Sequence, residues 1–232
     1  MVKQKQNKNK KRSMFLRIFD LKYFLMDFVK VTAAIPTLIA LRVKKYYIGG
    51  KKQKKLFKGP VIFVSNHTSY IDPVIITTAV WQRRIGFIAT KELFNTKMKN
   101  IFFKGIGCIP IDKQNVGLSS FKAAQETINR GHAIGIFPEG QITRQNEVEQ
   151  FKSGVIMFSI LCKAPIVQIY ILKNKHWWNR QRVIFSEKID VSSLTENAYP
   201  TMEEISKVTK MLYEQEILLE QEIKRRVKKK GK

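Results

Sequence analysis

From Pro60 onward, apolar and polar positions alternate in short blocks that read in turn as strands and helices. Val61-Ile62-Phe63-Val64 is an unbroken apolar run of strand length, followed by polar turn residues. The pattern predicts a helix over Asp72 to Trp81, a strand over Ile85 to Ala89, a helix over Val116 to Arg130 and a strand over Ala133 to Phe137. A helix over Ser153 to Cys162 and strands over Ile166 to Leu172 and Val183 to Phe185 continue the series. Near the end, Thr201 and Glu204 have capping-box spacing. Ile205, Val208, Leu212, Leu219 and Ile223 then form one apolar stripe of a long amphipathic helix. Strands alternating with helices predict a single α/β domain around a central mixed, largely parallel sheet flanked by helices.

The first part of the chain follows another pattern. Residues 14–30 are rich in Phe, Leu and Ile, with Asp20, Lys22, Asp27 and Lys30 interrupting at helical spacing. A second apolar helix is expected from Val31 to about Ile48, containing Pro36 and ending before Gly49-Gly50. Two such helices bracketed by basic clusters predict a hairpin on a membrane surface, dipping into one leaflet with its lysines on the headgroups. A hairpin packed on the protein's own core is the competing arrangement. Val31 to Leu41, the longest charge-free apolar stretch here, has 11 residues, short of the ~20 that a spanning helix needs. The expected organisation is a basic tail (1–13), the helix hairpin with a basic linker (14–58), an α/β domain (59–223) and a second basic tail (224–232).

Charge sharpens this picture. Forty-three Lys and Arg against 18 Asp and Glu give a net +25 in 232 residues. Runs of six basic residues at 1–12, eight at 42–58 and seven at 224–232 contain no acid and supply 21 of that excess. The partners should therefore be anionic, an anionic membrane surface among them. The expected location is the cell membrane, peripheral or monotopic, on the cytoplasmic side. Cys108 and Cys162, each among apolar neighbours, exclude a disulfide scaffold and read as buried free thiols. No A-x-A-like cleavage site follows the first apolar stretch, so no secretory leader is expected.

Candidate chemistry concentrates in Asn66-His67-Thr68-Ser69-Tyr70-Ile71-Asp72-Pro73. Asp before Pro is a strong helix-start signal, so Asp72 reads first as an N-cap, with His67 in a plain loop. A second reading is chemical. A turn followed by a helix start can fold the carboxylate back onto one imidazole nitrogen, leaving the other free as a general base. No G-x-S-x-G nucleophile motif occurs anywhere, which points to direct activation of a substrate hydroxyl. Further along, Phe137-Pro138-Glu139-Gly140 places Glu139 at a tight turn after a strand, at the sheet edge where α/β proteins bind ligands. Arg144, Lys152 and Gly154 downstream, with Gly105, Gly107 and Lys113 upstream, put cations among glycines, a composition suited to phosphate. His132 after Gly131 reads as structural, and His176 beside Trp177-Trp178 as a surface or interfacial residue.

These blocks resemble, in order, those of the lysophosphatidate acyltransferases (1-acyl-sn-glycerol-3-phosphate acyltransferases) within the glycerolipid acyltransferase group. The resemblance rests on 66–73, on Lys91-Glu92-Leu93 with 105–113, on 137–140, on Phe151-Lys152-Ser153-Gly154-Val155 and on Ala164-Pro165-Ile166-Val167. It implies an enzyme that moves a fatty acyl chain from acyl-CoA or acyl-carrier protein to the free hydroxyl of lysophosphatidate, giving phosphatidate for phospholipid biosynthesis. It also implies His67 as general base, Asp72 as its orienting carboxylate, and direct attack on the thioester. Asn66, Ser69, Lys113, Glu139, Gly140, Arg144 and Lys152 are expected at the substrate, with Lys113 and Arg144 at the acceptor phosphate. No cofactor, metal or covalent intermediate is expected.

Three positions depart from the pattern of that family. Lys113 stands where Arg is usual, Gln141-Ile142-Thr143 precede Arg144 where Thr-Arg-Ser is favoured, and Gln168 replaces a common second proline. The altered phosphate block keeps open the same chemistry on glycerol-3-phosphate or another lysolipid. A non-enzymatic basic protein on a membrane or on nucleic acid is the more distant alternative. The chain has no RNP-type aromatic motif or zinc-finger spacing, and no nucleic-acid partner is expected.

Overall fold

The computed structural model describes residues 24–48, 56–112, 117–142, 151–174, 176, 179–195 and 200–229. Helix α1 (Phe24–Leu41) leads into β1 (Lys44–Tyr47), followed by β2 (Ile62–Ser65), α2 (Asp72–Ala79), β3 (Ile85–Thr90) and α3 (Lys97–Gly105). Then come β4 (Ile109–Ile111), α4 (Leu118–Asn129), β5 (Ala133–Ile136) and α5 (Gly154–Cys162). β6 (Ile166–Leu172), β7 (Arg182–Ile189) and α6 (Met202–Lys228) complete the described elements, with short 3-10 turns at Lys91–Phe94 and Val191–Ser193.

The seven strands form one sheet in the order β1-β7-β6-β2-β5-β3-β4. Every neighbouring pair is parallel except β6 and β7, which run antiparallel. The expected mixed, largely parallel α/β sheet is what the chain builds. β2 lies at its centre and is buried on both faces, which is why residues 61–64 read as a continuous apolar run. Ile62 and Val64 enter a core layer beneath α4, α5 and α6, whereas Phe63 enters the layer beneath α2. The two-residue period of an extended strand sorts them. The C-terminal half of α6 adds a smaller cluster, in which Leu219 and Ile223 cover Tyr46, Tyr170 and Ile184. Its start has the capping box that the sequence announces, Thr201 Oγ1 accepting from Glu204 N–H and Glu204 accepting from Thr201 N–H.

The N-terminal region corrects the expectation. One helix crosses the Lys30-Val31 position where two were expected, and it ends at Leu41. Residues 44–47 are an edge strand parallel to β7, not the end of a helix. Tyr46 and Tyr47 explain the difference: Tyr46 joins the cluster under α6, while Tyr47 stacks on Phe185 at 5.3 Å from the other face. Successive aromatics on opposite faces satisfy a strand and not a helix. The sheet therefore begins before residue 59, and Leu56 and Phe57 are already core. Residues 1–23, which include the basic tail and the start of the expected first helix, residues 49–55 of the linker and the tail beyond 229 lie outside the described residues. α3 and β4 were not anticipated, since Lys97 to Ile111 mixes lysines, aromatics and glycines without a clear period.

α1 is fastened to the domain by polar ties. Arg84 makes a two-pronged ion pair with Asp27, and Lys30 Nζ donates to the Arg83 carbonyl at 2.8 Å. Burial pushes the Lys30 ammonium down to about 8. Among the described residues, no helix is long and apolar enough to cross a membrane.

Gly135 on β5 tests the packing. A Cβ there would lie 2.4 Å from the Phe87 ring. Gly135→Ala should lower stability by about 1–3 kcal/mol, the usual range for overpacking a core. Urea unfolding of the variant checks this, and an unchanged midpoint would show that the Phe87 ring can move aside freely.

Candidate active site

β2 ends at Ser65, and the turn that follows brings His67 and Asp72 together at the carboxyl edge of the sheet. His67 Nδ1 lies 3.0 Å from Asp72 Oδ2. A carboxylate oxygen can only accept, so Nδ1 carries the proton and Nε2 keeps its lone pair. The same Oδ2 accepts from the N–H groups of Thr68 at 2.6 Å and Ser69 at 2.7 Å. Asp72 is thus not the N-cap: Ile71 holds that position, Asp72 is the first helical residue and Pro73 follows within the first turn. Its carboxylate folds back to close the turn. His67 retains 16% of its side-chain exposure while Asp72 retains 1%. The imidazole is therefore accessible and the carboxylate is not.

The second block supplies the support under the imidazole. β5 runs parallel beside β2 with Val64 opposite Ile136, so residue 137 emerges next to His67. The Phe137 ring stacks on the His67 ring at 4.0 Å, with 19° between the planes. Phe87 stacks in turn on Phe137 at 5.8 Å. Asp72 thus fixes one edge of the imidazole and an aromatic pile fixes one face.

His67 opens onto a cavity of about 1590 Å³, whose walls come mainly from apolar residues of α1, α2, α3 and β3. That volume exceeds the roughly 300–1,000 Å³ of an ordinary small-molecule pocket. Gly140 and Lys152 line the cavity beside His67. Gly140 has a φ of +71°, and a Cβ there would meet Lys152 Nζ at 3.0 Å, so glycine lets the lysine lie across the turn.

The other expected substrate residues fall elsewhere. Asn66 is buried, with its carboxamide closed on the Ile171 backbone: Nδ2 donates to the carbonyl at 3.0 Å and Oδ1 accepts from the N–H at 2.8 Å. It locks the β2 exit to β6 instead of lining the cavity. Ser69 Oγ accepts from Ile71 N–H at 3.4 Å within the turn. Glu139 is buried and does not line the cavity. Gly105 and Gly107, read as phosphate-cradle glycines, make room for α1 instead. Added Cβ atoms would lie 2.6 Å from Leu25 and 2.7 Å from Met26. Lys113 and Arg144 lie outside the described residues. Among those described, no group of three His, Cys, Asp or Glu is placed to hold a metal ion.

Residues 44–172, more than half of the chain, match the Acyltransferase family. The chain belongs to that family. Among curated relatives, the 1-acyl-sn-glycerol-3-phosphate acyltransferase of Bacillus subtilis is 30% identical over 136 residues, covering 58% of this chain and 65% of that protein. A probable 1-acyl-sn-glycerol-3-phosphate acyltransferase of Mycoplasma genitalium is 30% identical over 54% of this chain and 51% of its own length. The chain thus spans less than two thirds of these relatives. The crystal structure of the 1-acyl-sn-glycerophosphate acyltransferase of Thermotoga maritima shares the fold, with a TM-score of 0.58 at 16% identity. That match covers 88% of this chain and 80% of the other.

Two residues behind the turn, Gln168 and Glu216, bring buried polar groups close to it. Gln168, at the position of the common second proline, donates its N–H to Ser186 Oγ at 2.8 Å and its Nε2 to the Leu212 carbonyl at 2.7 Å. A proline has no N–H for the first of these bonds. Glu216 of α6 is fully buried and faces Glu139, Glu220, the Asn66 N–H and the Gln168 amide. Neither of its oxygens reaches hydrogen-bonding geometry. Burial first, and the Glu139 charge second, push its carboxyl well above the usual carboxylate range, which favours the neutral acid. A signal existed in the sequence, because Glu216 falls in the apolar stripe between Leu212 and Leu219.

The folded chain holds the Glu216 proton at pH values where the unfolded chain has released it, so this group makes stability fall as pH rises. Glu216→Gln keeps the shape and removes that loss. The melting temperature of the variant minus that of wild type should widen as pH rises above the ordinary carboxylate range. A constant gap in thermal scans would mean that Glu216 is ionised in the native protein.

Proposed function

We propose that the protein transfers a fatty acyl chain from acyl-CoA or acyl-carrier protein to the free hydroxyl of lysophosphatidate, giving phosphatidate. The observation that carries this reading is the His67–Asp72 pair at 3.0 Å, opening onto an apolar cavity of lipid size. The activities for which the Bacillus and Mycoplasma relatives are named support the choice of acceptor. His67 Nε2 takes the proton as the acceptor oxygen attacks the thioester carbonyl, and Asp72 stabilises the imidazolium. As the tetrahedral adduct collapses, the C–S bond breaks and the imidazolium returns its proton to the departing sulfur. A C–O ester bond and a free thiol result, and His67 is restored. Phe137 keeps the ring in plane, Lys152 and Gly140 shape the polar end, and Lys113 and Arg144 hold the acceptor phosphate.

The setting is a membrane surface, peripheral or monotopic and on the cytoplasmic side. Phe24, Phe28, Val31 and Ile39 of α1 are all more than half exposed, while the other side of the helix is tied to Arg83 and Arg84. An exposed apolar strip on a docked helix, in a chain of net charge +25, suits an anionic bilayer. The same chemistry on glycerol-3-phosphate or another lysolipid is the second reading, favoured by the departure at Gln141-Ile142-Thr143.

His67→Ala should reduce turnover of labelled lysophosphatidate by about 10²–10⁴-fold, the usual contribution of a general base. Asp72→Asn should also be severely impaired, because the carboxylate that orients the ring and balances its positive charge is lost. Circular dichroism should show an intact fold in both, and activity within about threefold of wild type in either would refute the mechanism.

The phosphate site is tested separately. Lys113→Ala and Arg144→Ala should each raise the acceptor KM about ten- to hundredfold, from loss of charge-assisted bonds, and change the thioester KM much less. Lys113→Arg should be tolerated. If both alanine variants keep the wild-type acceptor KM, the second reading of the acceptor takes precedence.

A further inference from the structure

Helix α3 is amphipathic, and most of its surface takes no part in the chemistry above. Thr96 caps it, with its hydroxyl accepting from Lys99 N–H at 3.3 Å. Met98 and Ile101 are 78% and 59% exposed, and Phe102 is exposed beside them. Positions i, i+3 and i+4 share one helical face, so these three side chains form a single apolar arc. Helical spacing puts Lys97 and Lys104 along one border of that arc and Lys99 along the other, all exposed. No acidic residue occurs between Leu93 and Ile111.

The arc does not stand alone. Gly105 lies on the same face and tucks α3 against Leu25 of α1. Phe102 of α3, Val31 and Leu38 of α1, Val74 of α2 and Trp81 just after α2 are each exposed and also line the cavity that reaches His67. Exposed apolar side chains of all three helices thus border one cavity, and Phe102 belongs both to that border and to the arc of α3.

We propose that α3 is a second membrane-contacting helix, seated in an anionic bilayer interface with Met98, Ile101 and Phe102 among the acyl chains and Lys97, Lys99 and Lys104 on the headgroups. An apolar arc bordered by lysines is the pattern of a helix lying in the interface plane. An acidic protein would be drawn by the same lysines. Exposed apolar side chains on three helices around one cavity mouth instead match the plane of a leaflet, which can meet all three helices together. With α1 and α3 both seated, the cavity opens where a lysolipid resides, and the acyl chain reaches His67 without crossing water. The proposal rests on the reading that the acceptor is a membrane lipid.

The experiment uses the full chain with Met98→Cys carrying an environment-sensitive fluorophore. Burial pushes the Cys108 and Cys162 thiols up to about 11, so labelling near neutral pH selects the introduced cysteine. Vesicles of phosphatidylglycerol and phosphatidylcholine should brighten the label, and lipids with quenchers on their acyl chains should extinguish it. Met98→Asp/Ile101→Asp should weaken vesicle binding at least about tenfold. Each of Lys97→Gln and Lys99→Gln should weaken it about fivefold on anionic vesicles only. Turnover of a water-soluble, short-chain lysophosphatidate without vesicles should be unchanged in these variants. If wild type lacks that turnover, the acceptor reading fails while the label still reports on α3. A label indifferent to vesicles, or a double variant that binds like its parent, overturns the proposal. So does a label that responds to an acidic acyl-carrier protein and not to lipid, which would make α3 a protein-docking helix.

Discussion

One carboxylate oxygen sets the geometry on which the site depends. Asp72 Oδ2 accepts from two backbone N–H groups and from the His67 ring, at 2.6 to 3.0 Å. Hydrogen bonds to a charged group contribute about 1.5–3 kcal/mol each, enough to fix a short turn that contains no regular structure. The residue sits at the positive end of α2, where a negative charge is favoured. One group thereby ends a strand–turn segment, begins a helix and selects the tautomer of the base. The helix start at Asp72 and its bond to the His67 ring are therefore one arrangement and not alternatives.

Parallel pairing does the rest of the assembly. Because β2 and β5 are parallel neighbours, their carboxyl ends fall on the same edge, and the residue after β5 lands beside the turn that follows β2. The Phe137 face then meets the His67 face without any long side chain having to reach. Asn66 ties the same exit to β6 through the Ile171 backbone. Three adjacent strands thus hold the turn from three directions, with buried apolar layers on both sides of the sheet.

Local patterns carried much of this. β2, β5 and β6, the Asp72-Pro73 helix start, the capping box and the stripe of α6 are signals within a few residues, and each appears close to where its residues place it. Contacts between distant segments left weaker traces. Tyr46-Tyr47 has the composition of a helix end and becomes a strand only because β7 offers an edge. Gly105 and Gly107 resemble a phosphate cradle in composition, yet α1, some eighty residues earlier, fills the space that they leave. Glu139 and Asn66 stand within the informative blocks but face inward. Sequence adjacency to a catalytic residue does not say on which side of the sheet edge a side chain falls.

The two ends of the cavity are built on opposite principles. At His67 the Asp72 carboxylate is fixed by two backbone N–H groups and holds one edge of the imidazole, and stacked rings hold its face. Toward α1, α2 and α3 the walls are aliphatic and aromatic side chains, which bind by area and impose little direction. A reaction on a lipid needs both: a hydroxyl placed within hydrogen-bond reach of Nε2, and a chain whose length and unsaturation vary. The Arg84–Asp27 ion pair and the Lys30 bond to the Arg83 carbonyl join the two regimes. They hold α1 to the start of β3, one strand away from β2 across β5. A helix so fastened can offer its outer face to a membrane while its inner face keeps a fixed relation to His67. Surface attachment and catalytic geometry are then parts of one rigid arrangement.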